Sequence, residues 1–266
     1  MRKNLSKTNN FQNYNEEMTK PLILITNDDG IEAEGIHKLA EFVSHMGEVV
    51  VVAPDSARSG GSMALTVEIP LRIKEFGTYL GMRMLSTNGT PVDCVKIACN
   101  VILDRQPDIV LSGINHGSNT GNSVNYSGTM GAAIEGCLRG IPSIGYSCVS
   151  HKATTADFDA CRQYIERITA KVLAEGLPND VCLNVNMPVG KPITGIAITQ
   201  SCRGRWQNEY AELTNPRGQK IYYLTGDYLN LDPDNPDTDL AQIKAGKIAV
   251  TPITPQRDAT LENFTF

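Results

Sequence analysis

Short apolar runs alternate with helical patterns along most of this chain, and that alternation limits the folds open to it. An apolar run at residues 22–26 is followed by apolar residues at helical spacing from Ile36 to Val43, and then by a second apolar run at 49–53. A strand, a helix and a strand within about 30 residues are typical of a βαβ unit, in which the two strands are parallel. The beginning of the chain therefore predicts one such unit.

The same alternation continues to about residue 190. Helices are predicted from Pro91 onwards, at 128–138 and at 158–172, and strands at 109–111, 143–147 and 181–186. Elements in this order predict an α/β fold with a mostly parallel sheet and helices on both of its faces. We expect this core to cover residues 20–190.

Polar, glycine-rich segments follow three of the predicted strands. These segments are residues 27–30, 53–62 and 112–121. Because the carboxyl ends of parallel strands meet at one edge of a sheet, and ligands bind at that edge, the three loops are expected to lie together. The sequence thus predicts a single site built from three loops.

Two neighbouring carboxylates in the first loop, Asp28 and Asp29, indicate a cation. Such a pair repels itself unless a proton or a metal neutralises it, and oxygen ligands suit Mg²⁺, Mn²⁺ or Ca²⁺. Gly30 permits the turn that lets both side chains serve one ligand. The alternative is an Asx turn followed by a helix cap, since Asn, Asp and Gly are common turn residues.

The other two loops add ligands for a metal and for an anion. Ser59 offers a hydroxyl to a metal, Arg58 offers a guanidinium to an anion, and Asn115 offers a neutral oxygen that would complete a metal shell. Taken singly, Arg58 also fits a solvated loop charge, and Asn115 fits a simple turn former.

Ser127, Gly128 and Thr129 stand at the start of the predicted helix at 128–138. Hydroxyls and N–H groups at a helix N-terminus form a natural site for an anion such as phosphate. A plain helix cap would account for Ser127 or Thr129 equally. A divalent cation beside such a segment is the composition expected for metal-assisted transfer of a phosphoryl group to water.

Two other classes of function use part of the same pattern. A nucleotide-binding or sensor protein without catalysis would carry G-x-G-x-x-G in its first turn, where this chain has N-D-D-G. A metal-dependent hydrolase of another ester or amide would have less need of the hydroxyl-rich segment. No two of the four histidines stand at a ligand spacing, and only His116 lies in a candidate loop.

Composition narrows the expected partners and location. The formal net charge is -5 and no run of Lys and Arg exceeds two residues, so neither a nucleic-acid polymer nor a membrane is expected as a partner. Seven scattered cysteines without a CxxC motif suit buried thiols in a reducing compartment. Residues 1–19 are polar and contain no apolar stretch of signal-peptide type, which predicts a disordered tail on a cytoplasmic protein.

The C-terminal region, residues 191–266, loses the alternation of strand and helix. Strands are predicted at 196–198 and 221–224, a polar link at 203–216, an acidic surface loop at 227–239 and a helix at 239–245. A long hairpin with open edges promotes association unless something covers it. This region therefore predicts an extended β-hairpin arm, from about residue 195 to 226, that contacts another subunit.

A series of motifs resembles a known family. In this order the chain contains ILITNDDGIEAEGI, VVAPDSARSGGSMALT, NGTPVDCVKIA, LSGINHGSNTGNSVNYSGTMGAAIEG and IPSIGYS. Together they resemble SurE, the survival-protein family of metal-dependent 5′(3′)-nucleotidases, over roughly residues 21–260. The tail at 1–19 departs from the family pattern, in which the first strand starts almost at the N-terminus.

The resemblance implies a Rossmann-like core that hydrolyses nucleoside 5′(3′)-monophosphates to nucleoside and phosphate by attack of a metal-activated water. It also implies one Mg²⁺ or Mn²⁺ per subunit and a homodimer or homotetramer. It assigns a catalytic role to Asp28, Asp29 and Asn115, metal binding to Asp28, Asp29, Ser59 and Asn115, and phosphate binding to Ser59, Asn115, Ser127, Gly128 and Thr129. The base, the choice of 5′ or 3′ ester and the choice between the two metals stay open.

Overall fold

A computed structural model describes residues 20–256, and the predicted N-terminal tail lies outside this range. The strands are β1 Leu22–Thr26, β2 Glu48–Pro54, β3 Ile73–Tyr79, β4 Met82–Thr87, β5 Ile109–His116, β6 Ser143–Cys148, β7 Cys182–Met187, β8 Gly195–Ile198, β9 Gly204–Gln207, β10 Tyr210–Thr214, β11 Lys220–Leu224, β12 Asp227–Asn230 and β13 Lys247–Ile253. The α-helices are α1 Glu34–Val43, α2 Pro91–Ile97, α3 Gly128–Leu138, α4 Thr155–Glu175 and α5 Asp239–Lys244. Among residues 20–256, no helix combines the length and the apolar content that crossing a bilayer requires.

A mostly parallel sheet forms the centre of the fold, as the alternation predicts. Its nine strands lie in the order β3-β4-β2-β1-β5-β6-β7-β13-β8. The six strands from β4 to β7 in this order are parallel, whereas β3 and β13 are antiparallel to β4 and β7. The strand order reverses at β1, with β2 on one side and β5 on the other. Such a switch point opens a crevice at the carboxyl ends of the strands.

Helices cover both faces of this sheet, and β1 is buried between them. Ile23 and Ile25 pack in a cluster that includes residues of α1 and α4, whereas Leu22 and Leu24 pack in a second cluster with residues of α2. A strand buried on both faces needs apolar side chains at successive positions, which explains the unbroken apolar run. All seven cysteines are free and buried, as predicted.

The hairpin of β3 and β4 has no counterpart among the predicted elements. β3 is an edge strand, and six of its seven residues are exposed, including Ile73 and Phe76. Because nearly all of its residues are exposed, β3 lacks the continuous apolar run that marks the inner strands.

β5 is longer than the predicted strand at 109–111. It continues to His116, and its pairing with β6 shifts register between Ser112 and Asn115. Such an irregularity re-aims the side chains that follow it. Asn115 and His116 are therefore strand residues, and the third loop begins only at Gly117.

Part of the C-terminal region completes the central sheet. β8 pairs with β13, and β13 pairs with β7, so two strands of the sheet come from beyond residue 190. Residues 195–198, placed in the arm by the sequence, are instead β8. The segment expected as a polar link contains β9 and β10, and the first four residues of the expected acidic loop form β12.

The arm consists of residues 204–230. In it β9 pairs with β12, and β10 pairs with β11, both antiparallel. Trp206 and Tyr228 meet edge to face, with ring centroids 5.5 Å apart. All five residues of β10 and four of the five in β11 are exposed, so the outer hairpin makes little contact with the core. The predicted hairpin is present, and it leaves the core after β8.

Candidate active site

Backbone hydrogen bonds bring the strand-end loops together, as predicted. The N–H of Arg58 donates to the carbonyl of Asp28 at 2.7 Å and ties the second loop to the first. The N–H of Ser62 donates to the carbonyl of Tyr126 at 3.1 Å and ties the second loop to the segment before α3. The last residue of β5 joins them through a hydrogen bond to Asp29. The sequence-predicted residues therefore gather at the switch point of the sheet.

Asn27 forms the first turn and leaves both aspartates out of it. Its Nδ2 donates to the carbonyl of Gly30 at 2.9 Å, and the N–H of Gly30 donates back to Oδ1 at 3.2 Å. Gly30 has a φ of 102°, and a Cβ there would lie 3.3 Å from the backbone of Ser56. The turn-former alternative thus accounts for Asn27 and Gly30 but not for Asp28 and Asp29.

Asp28 is a buried carboxylate, only 4% exposed, that lies against the N-terminus of α3. The hydroxyl of Thr129 donates to its Oδ1 at 2.5 Å, and a Cβ on Gly128 would lie 2.8 Å from the Cβ of Asp28. Burial raises the pKa of Asp28 and the charge of Asp29 raises it further, while the hydrogen bonds from Thr129 lower it. Burial without a cation therefore disfavours the ionised form.

Asp29 is held by His116, a pairing that the sequence did not predict. The backbone N–H and the ring Nδ1 of His116 both lie 3.2 Å from Oδ2 of Asp29. The hydrogen bond to this carboxylate is the main cause of a raised pKa for His116. The ring packs edge to face on Phe158, with centroids 5.0 Å apart. The only signal in the sequence is the position of His116 next to Asn115.

Asn115 presents its carboxamide oxygen, because the other end of the amide is engaged. Its Nδ2 donates to the carbonyl of Gly117 at 2.9 Å, an orientation assigned from the hydrogen-bond network. Gly117 has a φ of 121°, and the ring of His151 lies over it so closely that a Cβ would collide. His151 was expected to have no part in the candidate loops, but the structure places it against the third one.

Ser127 is the N-cap of α3, and Gly128 and Thr129 are the first two residues of the helix. The hydroxyl oxygen of Ser127 accepts from the N–H of Met130 at 3.0 Å. The cap alternative is therefore correct for Ser127, and it does not exclude anion binding, because the hydroxyl proton remains available. N–H groups in the first turn of a helix have no acceptor within the helix and favour a bound anion.

The second loop positions Ser59 and uses Arg58 as a brace. Nη2 of Arg58 donates to Oδ1 of Asp55 at 3.2 Å and to the carbonyl of Asn88 at 3.1 Å. Because the guanidinium is already bound to these two groups, it is better explained as a support for the second loop than as a ligand for a substrate anion. Ser59 is exposed and follows the residue whose backbone is tied to Asp28.

These donors fit a divalent cation of the Mg²⁺ or Mn²⁺ type. The set comprises two carboxylates, the carboxamide oxygen of Asn115 and the hydroxyl of Ser59, all of them hard oxygen ligands. A cation would also supply the positive countercharge that the buried carboxylate of Asp28 lacks. Within residues 20–256, no group of three or more His, Cys, Asp and Glu side chains is arranged for a metal, so a cation held here would need neutral oxygens beside the two carboxylates.

A buried amide network supports the third loop from behind, and the sequence did not predict it. The N–H of Asn119 donates to Oδ1 of Asn186 at 2.9 Å, and Nδ2 of Asn184 donates to the carbonyl of Asn119 at 2.8 Å. Nδ2 of Asn119 donates to Oγ of Ser147 at 2.8 Å. The two asparagines stand at alternate positions of β7, which is otherwise apolar, and this spacing is the one local sequence pattern that could have predicted the network.

Comparison with known proteins identifies relatives along most of the chain. A family described as "Survival protein SurE" matches residues 23–208. The chain is 47% identical over 236 residues to the "5'-nucleotidase SurE" of Bacteroides fragilis, covering 89% of this chain and 92% of that protein. It is 42% identical over 240 residues to the protein of the same name from Caldanaerobacter subterraneus, with the same two coverages.

A solved structure has the same fold. The crystal structure of the SurE protein from Aquifex aeolicus matches with a TM-score of 0.75 and 36% sequence identity. The match covers 88% of this chain and 93% of that one.

Replacing Asp28 with Asn is expected to raise the free energy of unfolding of the metal-free protein near neutral pH, because a buried charge and its repulsion by Asp29 are removed. The advantage over the parent should shrink as the pH falls through the pKa of Asp28, since the parent carboxyl then takes up a proton and its burial costs less. Urea unfolding of EDTA-treated protein at several pH values measures this difference. Asp104→Asn, at an exposed site, is the control. A stability advantage of Asp28→Asn over the parent that grows as the pH falls would contradict a raised pKa for Asp28.

Proposed function

The chain belongs to the SurE family, and we propose that it is a 5′-nucleotidase that hydrolyses nucleoside monophosphates at the site around Asp28 and Asp29. The matched range, 23–208, contains every residue of that site, and the relatives named 5′-nucleotidase SurE align over about nine-tenths of the chain. The observation that carries the proposal is the contact between a buried carboxylate and a helix N-terminus. This contact supports a cation site that lies beside a phosphate site.

We propose Asp28, Asp29, Asn115 and Ser59 as the residues that hold one Mg²⁺ or Mn²⁺. A divalent ion bound there supplies positive charge to the phosphoryl oxygens and lowers the pKa of a coordinated water. Asp28, Asp29 and Asn115 act as the catalytic residues by holding that charge in place. His116 holds the carboxylate of Asp29 through two hydrogen bonds, which restrict the orientation of that side chain.

We propose that Ser127, Gly128 and Thr129 bind the phosphate group, with Ser59 and Asn115 at its metal-facing side. The support is the position of this segment at the first turn of α3, directly beside Asp28. The hydroxyl and the backbone N–H of Thr129 are both directed at Asp28, which leaves the N–H of Gly128 and the hydroxyl of Ser127 for the anion. The chain thereby positions the phosphoryl group next to the carboxylates without a covalent nucleophile.

The two other classes of function fit the geometry less well. A dinucleotide-binding protein would have to place a pyrophosphate beside two carboxylates, one of them buried, which electrostatic repulsion opposes. A hydrolase of another ester or amide would leave the segment at 127–129 without a role. Nucleotide hydrolysis uses both halves of the site.

We further propose a homodimer or homotetramer in the cytoplasm. The exposed aromatic and aliphatic side chains of β10 and β11 support a partner subunit, because large apolar surface of this kind is enriched at interfaces. The burial of seven free thiols supports a reducing compartment.

Removing the metal is expected to abolish phosphatase activity, and Mg²⁺ or Mn²⁺ should restore it. Asp29→Asn should lower kcat/KM for a nucleoside monophosphate by about a hundredfold or more, because it removes a charged ligand and the partner of His116. Assays after EDTA treatment, with each metal added back, measure both effects. Asp104→Asn, which removes an exposed carboxylate away from the site, should keep the parent activity. Full turnover by Asp29→Asn at ordinary metal concentrations would sink the metal assignment.

Ser127→Ala is expected to raise the inhibition constant for vanadate and to cost about 1–3 kcal/mol of transition-state stabilisation, the scale of a hydrogen bond to a charged group. Steady-state kinetics with vanadate or inorganic phosphate as competitor provides the measurement. Thr154→Ala is the control, because Thr154 is likewise the N-cap residue of a helix, α4, but its hydroxyl donates to the carboxylate of Asp157. Equal inhibition of the Ser127 variant and the parent would mean that the anion lies elsewhere.

Replacing residues 210–224 with a short linker is expected to convert the oligomer to a smaller species. The change removes β10 and β11, whose side chains are mostly exposed, and keeps β9 and β12 at the base of the arm. Sedimentation velocity of the parent and the shortened chain, at micromolar concentration, measures the assembly. A monomeric parent, or an assembly unaltered by the deletion, would refute the role of the arm.

A further inference from the structure

Asp239, in the C-terminal region, is a fully buried carboxylate that binds two distant parts of the chain. Its Oδ2 accepts from the N–H of Gly121 at 2.7 Å, and its Oδ1 accepts from the N–H of Cys202 at 3.0 Å. Oδ1 also accepts from the N–H of Leu240, at the start of α5. Among the described residues no cationic side chain pairs with it, so its charge is satisfied by backbone N–H groups. Hydrogen bonds to an ionised acceptor are about twice as strong as neutral ones.

Two residues of the arm, Tyr228 and Gly204, bind Asn122, which follows Gly121 in the chain. The N–H of Asn122 donates to the hydroxyl of Tyr228 at 3.1 Å, and Nδ2 of Asn122 donates to the carbonyl of Gly204. The loop and the arm pack closely, since a Cβ on Gly121 would collide with the hydroxyl of Tyr228 and would lie 2.6 Å from Sγ of Cys202. The base of the arm therefore contacts the loop without room for a side chain between them.

The residues held in this way lead directly into the phosphate segment. Residues 121–125 form a 3₁₀ turn, in which the N–H of Tyr126 donates to the carbonyl of Ser123 at 3.0 Å. Ser127 follows at once as the cap of α3. On the opposite side the hydroxyl of Ser62 donates to the carbonyl of Asn125 at 2.6 Å. A displacement of this turn would therefore move Ser127 relative to Asp28.

We propose that Asp239 and Tyr228 are positioning residues for the phosphate site, which they act on through the turn at 121–125. The inference rests on the proposed function, because it takes residues 127–129 to bind phosphate. It assigns the C-terminal region a part in substrate binding in addition to its part in the sheet. The proposed metal ligands lie in the first loop, in β5 and in the second loop, so these two residues act on the anion and not on the cation.

The test measures binding of inorganic phosphate, and then turnover of a nucleoside monophosphate, in the full-length chain with Mn²⁺ present. Tyr228→Phe removes only the hydroxyl that accepts from Asn122, and Asp239→Asn keeps the shape of the side chain but removes its charge. Each variant should weaken phosphate binding and raise KM roughly three- to tenfold, the effect of one hydrogen bond. The Mn²⁺ concentration for half-activation should stay within about twofold of the parent value, because neither variant changes a proposed metal ligand.

Two control variants separate positioning from loss of stability. Thr251→Val removes a buried hydroxyl pair with Thr199 in the same C-terminal region, without contact to the loop. Tyr222→Phe removes a hydroxyl in the outer hairpin, where its partner is Glu212. Both should keep the parent affinity for phosphate, even where thermal unfolding shows that Thr251→Val is less stable.

The outcomes distinguish this inference from the proposed function. Parent-like phosphate affinity and KM in Tyr228→Phe would overturn the inference, whether or not Asp239→Asn folds. An equal loss of affinity in Thr251→Val would also overturn it, because the effect would then follow stability. A parent chain that binds phosphate but hydrolyses no nucleotide would refute the proposed function, while the binding measurements would still decide the role of Tyr228.

Discussion

The contact between the carboxylate of Asp28 and the first turn of α3 determines how the rest of the site is arranged. It joins the loop after β1, the strand at which the order of the sheet reverses, to the segment proposed for phosphate, and only a glycine at position 128 allows this approach. A carboxylate buried in this way is unfavourable unless hydrogen bonds and a nearby cation stabilise its charge. This contact is therefore the point at which the proposed metal and the proposed phosphate group would meet.

Much of the fold and the location of the site could be predicted from local patterns. Residues 22–26 are continuously apolar because both faces of β1 are covered, and 128–138 were predicted as a helix with the bounds that α3 has. The prediction of the site followed from topology: β1 and β5 are parallel neighbours that end at the same edge, so Asp28 and Asn115 were expected to lie near each other although they are far apart in sequence. Elements with a strong periodic signal were therefore the ones correctly predicted.

The contacts that escaped prediction are between residues distant in sequence and without a shared pattern. His116 contacts Asp29 because the pairing of β5 with β6 shifts register before it, and no local sequence pattern predicts that shift. Asp239 reaches Gly121 across 118 positions, and its surroundings suggested only a helix start after an acidic loop. The edge strand β3 was missed for a different reason, since its exposure to solvent removes the continuous apolar run that marks the inner strands. Supporting residues are consequently harder to predict than the ligands that they hold.

The central claim is that one divalent ion binds between Asp28 and Asp29, in contact with the end of β5 and beside the N-terminus of α3. A crystal structure of the Mn²⁺-loaded protein, with anomalous scattering collected at the manganese edge, tests this claim most directly. The account predicts one anomalous peak per subunit within coordination distance of oxygens from both Asp28 and Asp29, with Asn115 contributing its carboxamide oxygen. A peak bound by other residues, or full occupancy that leaves either aspartate outside the coordination shell, would contradict it.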